Sequence, residues 1–222
     1  MKIEELEKVY AKLPQVSVLV NEIGNSQVRR IFLDGLLGSS APMLFGSMAA
    51  KCSSPLLFIL QDAEEAGYFY HDLIQLLGQR RVLFFPSSYR RAIKYGQLDP
   101  ASQILRTEVM THIDKSVFIV TYPEALAEMV VPKQTLSART LLIERGQEVA
   151  VADIVHQLRD LGFHEVDYVY EPGQFALRGS ILDVYSYSCE YPYRVDFFGD
   201  EVDSLRIFQV EDQLSLDARD RV

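Results

Sequence analysis

The chain has 222 residues, 48% apolar and 24% charged, with 31 acidic against 22 basic residues and a net charge of -9. That length holds one large domain or two modest ones, each able to bury a core. The acidic balance argues against tight nucleic-acid binding, which rests on clustered Lys and Arg neutralising phosphates, and no apolar run is long enough to span a bilayer. The first residues, "MKIEELEKVYAKL", read as an amphipathic helix and not as a signal peptide. Cys52 and Cys189 show no paired spacing and read as reduced thiols, so the cytoplasm is the expected location.

In chain order, Arg30 to Leu33 predicts a strand, after which "LDGLLGSSAPM" (33–43) has the outline of a phosphate-binding loop entering a helix through Ala50. A working loop reads G-x-x-x-x-G-K-[ST]: glycines expose backbone N–H groups, the Lys reaches the terminal phosphate and the hydroxyl holds Mg²⁺. Here Gly35, Gly38 and Ser39 keep the outline. Ser40 stands on the last glycine, Ala41 on the lysine and Pro42 on the hydroxyl. The chemical positions are lost, and a structural strand-to-helix connection is the expectation, with no ATP bound.

"PLLFIL" (55–60) reads as a buried strand, and Asp62 caps a helix whose Glu65 completes a capping box. Its apolar face is Ala66, Phe69, Tyr70, Leu73 and Leu77, and Gly78 stops it. "RVLFF" (81–85) is a strand, followed by a loop rich in Pro, Ser and Tyr. Asp99 and Pro100 start the next helix, and "SVFIVTYPEAL" supplies a strand at Val117 to Val120 and a further helix. Strands alternating with helices predict an α/β unit with a parallel sheet covered on both faces. The basic patches are "QRR" (79–81) and "YRRAIK" (89–94). DNA binding through Arg90, Arg91 and Lys94 with Tyr89 and Tyr95 is a minor alternative.

The pattern changes near 131–137, where "VPKQTLS" reads as a connection. "LLIERGQ" predicts a strand and turn. The next helix places Val151, Ile154, Val155, Leu158 and Leu161 on one face and stops at Gly162. From Val166 onward the reading is β, giving a small α+β domain with one helix across an antiparallel sheet. In "YRVDFF", alternation puts Tyr193, Val195 and Phe197 toward a core and turns Arg194, Asp196 and Phe198 outward. An arginine, an aspartate and an aromatic side by side suit a binding surface. The alternative is that Phe198 packs under the Gly199 turn while Arg194 and Asp196 pair across strands. Asp183 sits in an apolar strand without a second carboxylate or a His at a recognisable spacing. His71, His112, His156 and His164 form no metal-ligand pattern, so no catalytic residue, metal or cofactor is expected.

"EPGQFALRGSILDVY" followed by "PYRVDFFGDEVDSLRIF" resembles the N-terminal module shared by the bacterial transcription-repair coupling factors (Mfd) and the excinuclease subunit UvrB. The order of "FPSSYRRAIKYGQLDPASQILR", "VFIVTYPEAL", the strand ending in "RGQ" and the helix ending in "LGF" is similar too, and the likeness covers nearly the whole chain. It implies a helicase-like α/β domain with a degenerate phosphate loop at 1–133 and a UvrA-binding-like α+β domain at 134–222. The degenerate "GLLGSSAP" favours the coupling factors over UvrB, whose loop binds ATP. The implied partner is UvrA, docking on Arg178, Arg194, Asp196 and Phe198. The implied role is a non-catalytic adaptor that recruits UvrA to stalled RNA polymerase at DNA damage. RNA polymerase, DNA, ATP and Mg then belong to a downstream translocase region of a longer protein. The alternative is a nucleotide-binding UvrB-like repair segment with an altered loop. Two departures stand out. Ala176 occupies the place of a second arginine, and Gln213-Leu214-Ser215 replaces a Gln-Arg-Ser/Thr pattern.

Overall fold

The computed structural model of the protein describes residues 3–89, 99–113, 116–132, 135–136 and 139–222. It divides into two compact units, Met1–Ser88 with Glu108–Met129 and Tyr89–Thr107 with Val130–Val222. Within the described residues no helix is long and apolar enough to cross a membrane. Arg90, Arg91, Lys94 and Tyr95 of the basic patch lie outside the described residues.

The first unit opens with helices α1 (Ile3–Tyr10), α2 (Pro14–Ile23) and α3 (Ser40–Met48), the last continued by a 3-10 turn at Ala49–Lys51. Strand β1 (Leu56–Ile59) leads into α4 (Ala63–Leu77) and β2 (Val82–Phe85). Helix α5 (Pro100–His112) belongs to this unit from Glu108 onward; β3 (Phe118–Thr121) and the short α6 (Pro123–Leu126) follow. The sheet is parallel in the order β1-β3-β2, so each strand is followed by a crossover. Ala66, Phe69 and Leu73 of α4 pack on Val82, Phe85, Phe118 and Val120, each large side chain contributing about 1.5–3 kcal/mol of burial.

Capping fixes where α4 begins. The Asp62 carboxylate accepts from the N–H groups of Glu64 (3.0 Å) and Glu65 (2.9 Å), satisfying two donors that the first helical turn leaves over. Glu65 reaches back to the N–H of Gln61 (3.0 Å), one residue earlier than the reciprocal capping box expected. At the other end Gly78 takes φ +77°, the left-handed conformation that stops a helix. The loop after β2 is pinned by Glu128, whose carboxylate accepts from the Ser87 hydroxyl and the Ser88 N–H.

Two expectations for this unit need correction. No strand forms at Arg30 to Leu33: the segment has no regular structure and the Phe32 ring is exposed. A strand's hydrogen bonds are made to a neighbour, and β1 pairs only with β3, so the apolar run finds no ladder. Coverage of both sheet faces holds for central β3, buried throughout, but not for β1, where Leu57 and Ile59 are exposed.

The second unit packs α7 (Val151–Asp160) across a sheet running in chain order: β4 (His164–Glu165), β5 (Gln174–Arg178), β6 (Ile181–Tyr185), β7 (Tyr193–Phe198), β8 (Glu201–Phe208) and β9 (Ser215–Arg219). Neighbours are antiparallel except β4 and β5, which are parallel, so the sheet is mixed and not purely antiparallel as expected. Ile154, Val155 and Leu158 of α7 close a core with Phe175, Leu182, Val195, Phe197 and Leu205. The strand predicted in "LLIERGQ" is reduced to a local pairing, in which Ile143 and Val222 exchange both backbone hydrogen bonds at 2.9 Å. Residues 166–170, read as β, form a loop.

Replacing Asp62 with Ala should cost about 1 kcal/mol of stability, because the Glu64 and Glu65 donors lose their acceptor. Urea denaturation of the two proteins measures it, and an unchanged midpoint would mean the cap contributes nothing.

Candidate docking face of the second unit

Strand alternation divides β5 to β8 between two faces. Phe175, Leu182, Val195, Phe197 and Leu205 point to the α7 core. The opposite parity falls on two rungs set by the register. One runs Ala176, Asp183, Arg194, Arg206, Ala218; the next runs Arg178, Ile181, Asp196, Ser204. On these two rungs three guanidinium groups and two carboxylates share one face, and Phe198 opposite Glu201 continues it beyond Asp196.

Asp183 is the centre of this arrangement and is fully buried, at 0% exposure. A carboxylate in such a place is tolerable only with charge-assisted partners. Arg194, directly opposite on β7, supplies them: Nε donates to Oδ1 at 2.7 Å and Nη2 to Oδ2 at 2.8 Å, a two-pronged pairing. Nη2 also donates to Gln213 Oε1 (2.9 Å) and Nη1 to the Gln213 carbonyl (3.4 Å), and the guanidinium lies 4.2 Å over the buried Phe208 ring. Four of its five N–H groups are thus engaged. Hydrogen bonding to Asp183 raises the Arg194 pKa above the ordinary arginine range, outweighing the opposing effect of burial. Gln213 adopts φ +62°, the only non-glycine in the left-handed region among the described residues.

The other residues sit at the rim. Arg178 Nη2 donates to Asp183 Oδ2 at 2.5 Å and Nη1 to the Asp167 carbonyl at 2.9 Å, leaving a third of the side chain in solvent. Asp196 accepts from Arg206 Nη1 (2.8 Å) and the Ser204 hydroxyl (2.7 Å). Phe198 ends β7 with its ring 81% exposed, next to Gly199 at φ +64°.

Of the two sequence alternatives, the packed Phe198 does not occur. Arg194 and Asp196 do pair across strands, with Asp183 and Arg206 respectively. The sequence reading also needs correction at Arg194. It is on the outward face, yet its side chain is only 13% exposed, because the buried carboxylate opposite claims it. Asp183, Phe208 and Gln213 were not named as site residues. The signal was available for Asp183, since a lone carboxylate in an apolar strand calls for a cation on the same face of the next strand.

In the first unit, Gly35 (φ +78°) and Gly38 (φ +52°) turn the chain into α3, with Ser39 at its N-cap and Ser40 its first residue. The N–H of Gly35 donates to the Asp34 carboxylate at 2.8 Å, so an anion of the chain itself meets this loop donor. Ala41 and Pro42 sit in the first turn of the helix, Pro42 buried. Among the described residues no group of three or more His, Cys, Asp or Glu could hold a metal ion.

Arg194→Ala should destabilise the chain by about 3 kcal/mol, since it leaves the buried Asp183 carboxylate with only the rim Arg178 as partner. Phe198→Ala should stay within about 0.5 kcal/mol, because the ring packs on little. Urea melts of both variants test the contrast; equal losses would contradict it.

Comparison with known proteins follows the same division. Residues 141–222 match the model of the family described as the UvrB interaction domain. Over most of its length the chain is similar to proteins named transcription-repair-coupling factor. That of Bacillus subtilis is 28% identical over 187 residues, 83% of this chain and 16% of that protein. The Escherichia coli protein is 29% identical over 190 residues, 83% of this chain and 16% of its own length. The Mycobacterium tuberculosis protein is 30% identical over 189 residues, 80% and 15% respectively. The chain therefore spans about a sixth of the length of the curated relatives it matches. The face built on Asp183 lies inside residues 141–222, which match the UvrB interaction domain, and over most of its length the chain is similar to the transcription-repair-coupling factors.

Proposed function

We propose that this chain is a non-catalytic adaptor segment whose second unit docks UvrA and so recruits it to RNA polymerase stalled at DNA damage. The exposed Phe198 ring beside the arginine-rich face, inside the region matching the UvrB interaction domain, carries the reading. Aromatic and arginine side chains supply most binding energy at protein interfaces, and a ring that packs on little at home gains most from a partner's pocket. Arg178 offers N–H groups beyond its two internal bonds, and Asp196 holds Arg206 at the rim. Arg178 and Arg206 each keep part of the side chain in solvent, which favours a partner with carboxylates around an apolar recess.

The first unit we read as a helicase-like scaffold with a degenerate phosphate loop. Ala41 supplies no ammonium, Pro42 no hydroxyl or N–H, and Asp34 already serves the Gly35 donor. RNA polymerase, DNA and an ATP-driven motor using Mg we assign to other regions of a longer protein, acting in the cytoplasm.

Titration of purified UvrA with the 222-residue chain tests the docking role. Phe198→Ala should weaken binding by about 2 kcal/mol or more, roughly 30-fold, with an unchanged melting temperature. No binding by the unsubstituted chain, or no effect of Phe198→Ala and Arg178→Ala, would overturn the reading. Calorimetric titration with ATP and Mg²⁺ should give no saturable heat; saturable, Mg²⁺-dependent binding would restore the nucleotide-binding alternative.

A further inference from the structure

The loop between β4 and β5 is fastened to the docking face at several points. Arg178 Nη1 donates to the Asp167 carbonyl at 2.9 Å, and the Gln174 side-chain oxygen accepts from the N–H groups of Tyr170 (2.8 Å) and Glu171 (3.2 Å). Val169, 1% exposed, is buried against Ala176 and Phe208 on the outward side of the sheet. The loop's own rings are left outside: Tyr168 is 48% exposed and Tyr170 66%. Both line an open cleft with Glu165, Val166 and Asp167. The Arg178 guanidinium carbon lies 4.6 Å above the Tyr168 ring, within range of a cation–π contact.

Two rings held in solvent by a tied backbone cost little entropy to bury, which is the property of a binding anchor. We infer that the UvrA-docking surface extends from Phe198 across Arg178 onto this loop, with Tyr170 a second aromatic anchor and Tyr168 a positioning residue that aims the Arg178 guanidinium. The inference rests on the docking role proposed above. Continuity carries it. Arg178 is bonded at once to Asp183, the hub of the docking face, and to Asp167 of the loop, so a partner reaching the arginine meets the tyrosines beside it.

The partner group facing Arg178 is a carboxylate. It completes donors that Asp183 and Asp167 leave over, and an exposed guanidinium stacked on an aromatic ring presents them in a fixed plane. The Tyr170 ring requires an apolar shelf next to that carboxylate.

The test is UvrA titration against the 222-residue chain carrying Tyr170→Ala, Tyr168→Leu, Tyr168→Phe, Arg178→Ala and the Arg178→Ala/Tyr168→Leu pair, with Phe198→Ala as reference. Tyr170→Ala should weaken binding about tenfold without shifting the melting temperature. Tyr168→Leu should weaken it severalfold while Tyr168→Phe keeps it, and the pair should lose no more than Arg178→Ala alone, since both act through one guanidinium. If Phe198→Ala weakens binding but Tyr170→Ala and Tyr168→Leu do not, the extension is wrong and the docking role stands. If the unsubstituted chain fails to bind UvrA, the docking role falls and this inference with it. Loss of binding by Tyr168→Phe equal to that by Tyr168→Leu would overturn the positioning role.

Discussion

A single carboxylate taken out of water governs the second unit. Asp183 cannot remain charged inside the sheet without compensation, and its surroundings are the compensation: Arg194 on the next strand, Arg178 at the end of the preceding one, and Gln213 holding Arg194 from the far loop. A buried ion pair of this kind adds little net stability over a well-packed apolar core, because desolvation offsets attraction. Its effect is on geometry. Three strand residues, Arg178, Asp183 and Arg194, and the 209–214 loop are made mutually dependent, and Gln213 is held at φ +62° by the bonds its side chain and carbonyl make. The guanidinium of Arg178 is held by the same carboxylate.

The two units used their glycines differently. In the first, Gly35 and Gly38 bend the chain into α3 without presenting a lysine or a magnesium ligand, and Asp34 fills the donor that a phosphate would need. In the second, Gly179 and Gly199 take left-handed φ values at the hairpin ends, which puts Arg178 and Phe198 at the tips of β5 and β7, on either side of β6, with their side chains on one face. Left-handed glycines set the turns in both units.

Much of this was legible in the residues. Asp62, the α4 face and the Gly78 stop are local features, set by capping and by the 3.6-residue period, and they need nothing distant. The β7 alternation likewise follows from the two-residue period, which is why Phe198 could be assigned to the outward face from "YRVDFF" alone. What failed depended on partners far along the chain. Arg30 to Leu33 has strand composition but no ladder to join. "LLIERGQ" pairs with Val222, seventy-odd residues away, over too short a stretch to form a strand. Burial of Arg194 was hidden for the same reason: its cover comes from Asp183, Phe208 and Gln213, on three other segments.

Ala176 ties these points together. Its position on the rung beside Asp183 means that a guanidinium there would compete for the same carboxylate. With alanine instead, the space over the sheet is filled by Val169, which packs on Ala176 and Phe208 and draws the 166–171 loop down onto the face. That descent brings the Asp167 carbonyl and the Tyr168 ring to Arg178. The small side chain at 176 and the aromatic neighbour of Arg178 are thus linked through one loop. Variants on this face should then be read in two groups. Those at Asp183, Arg194 and Ala176 alter the scaffold and change folding, while those at Phe198 and Tyr170 touch groups already in solvent and leave it intact.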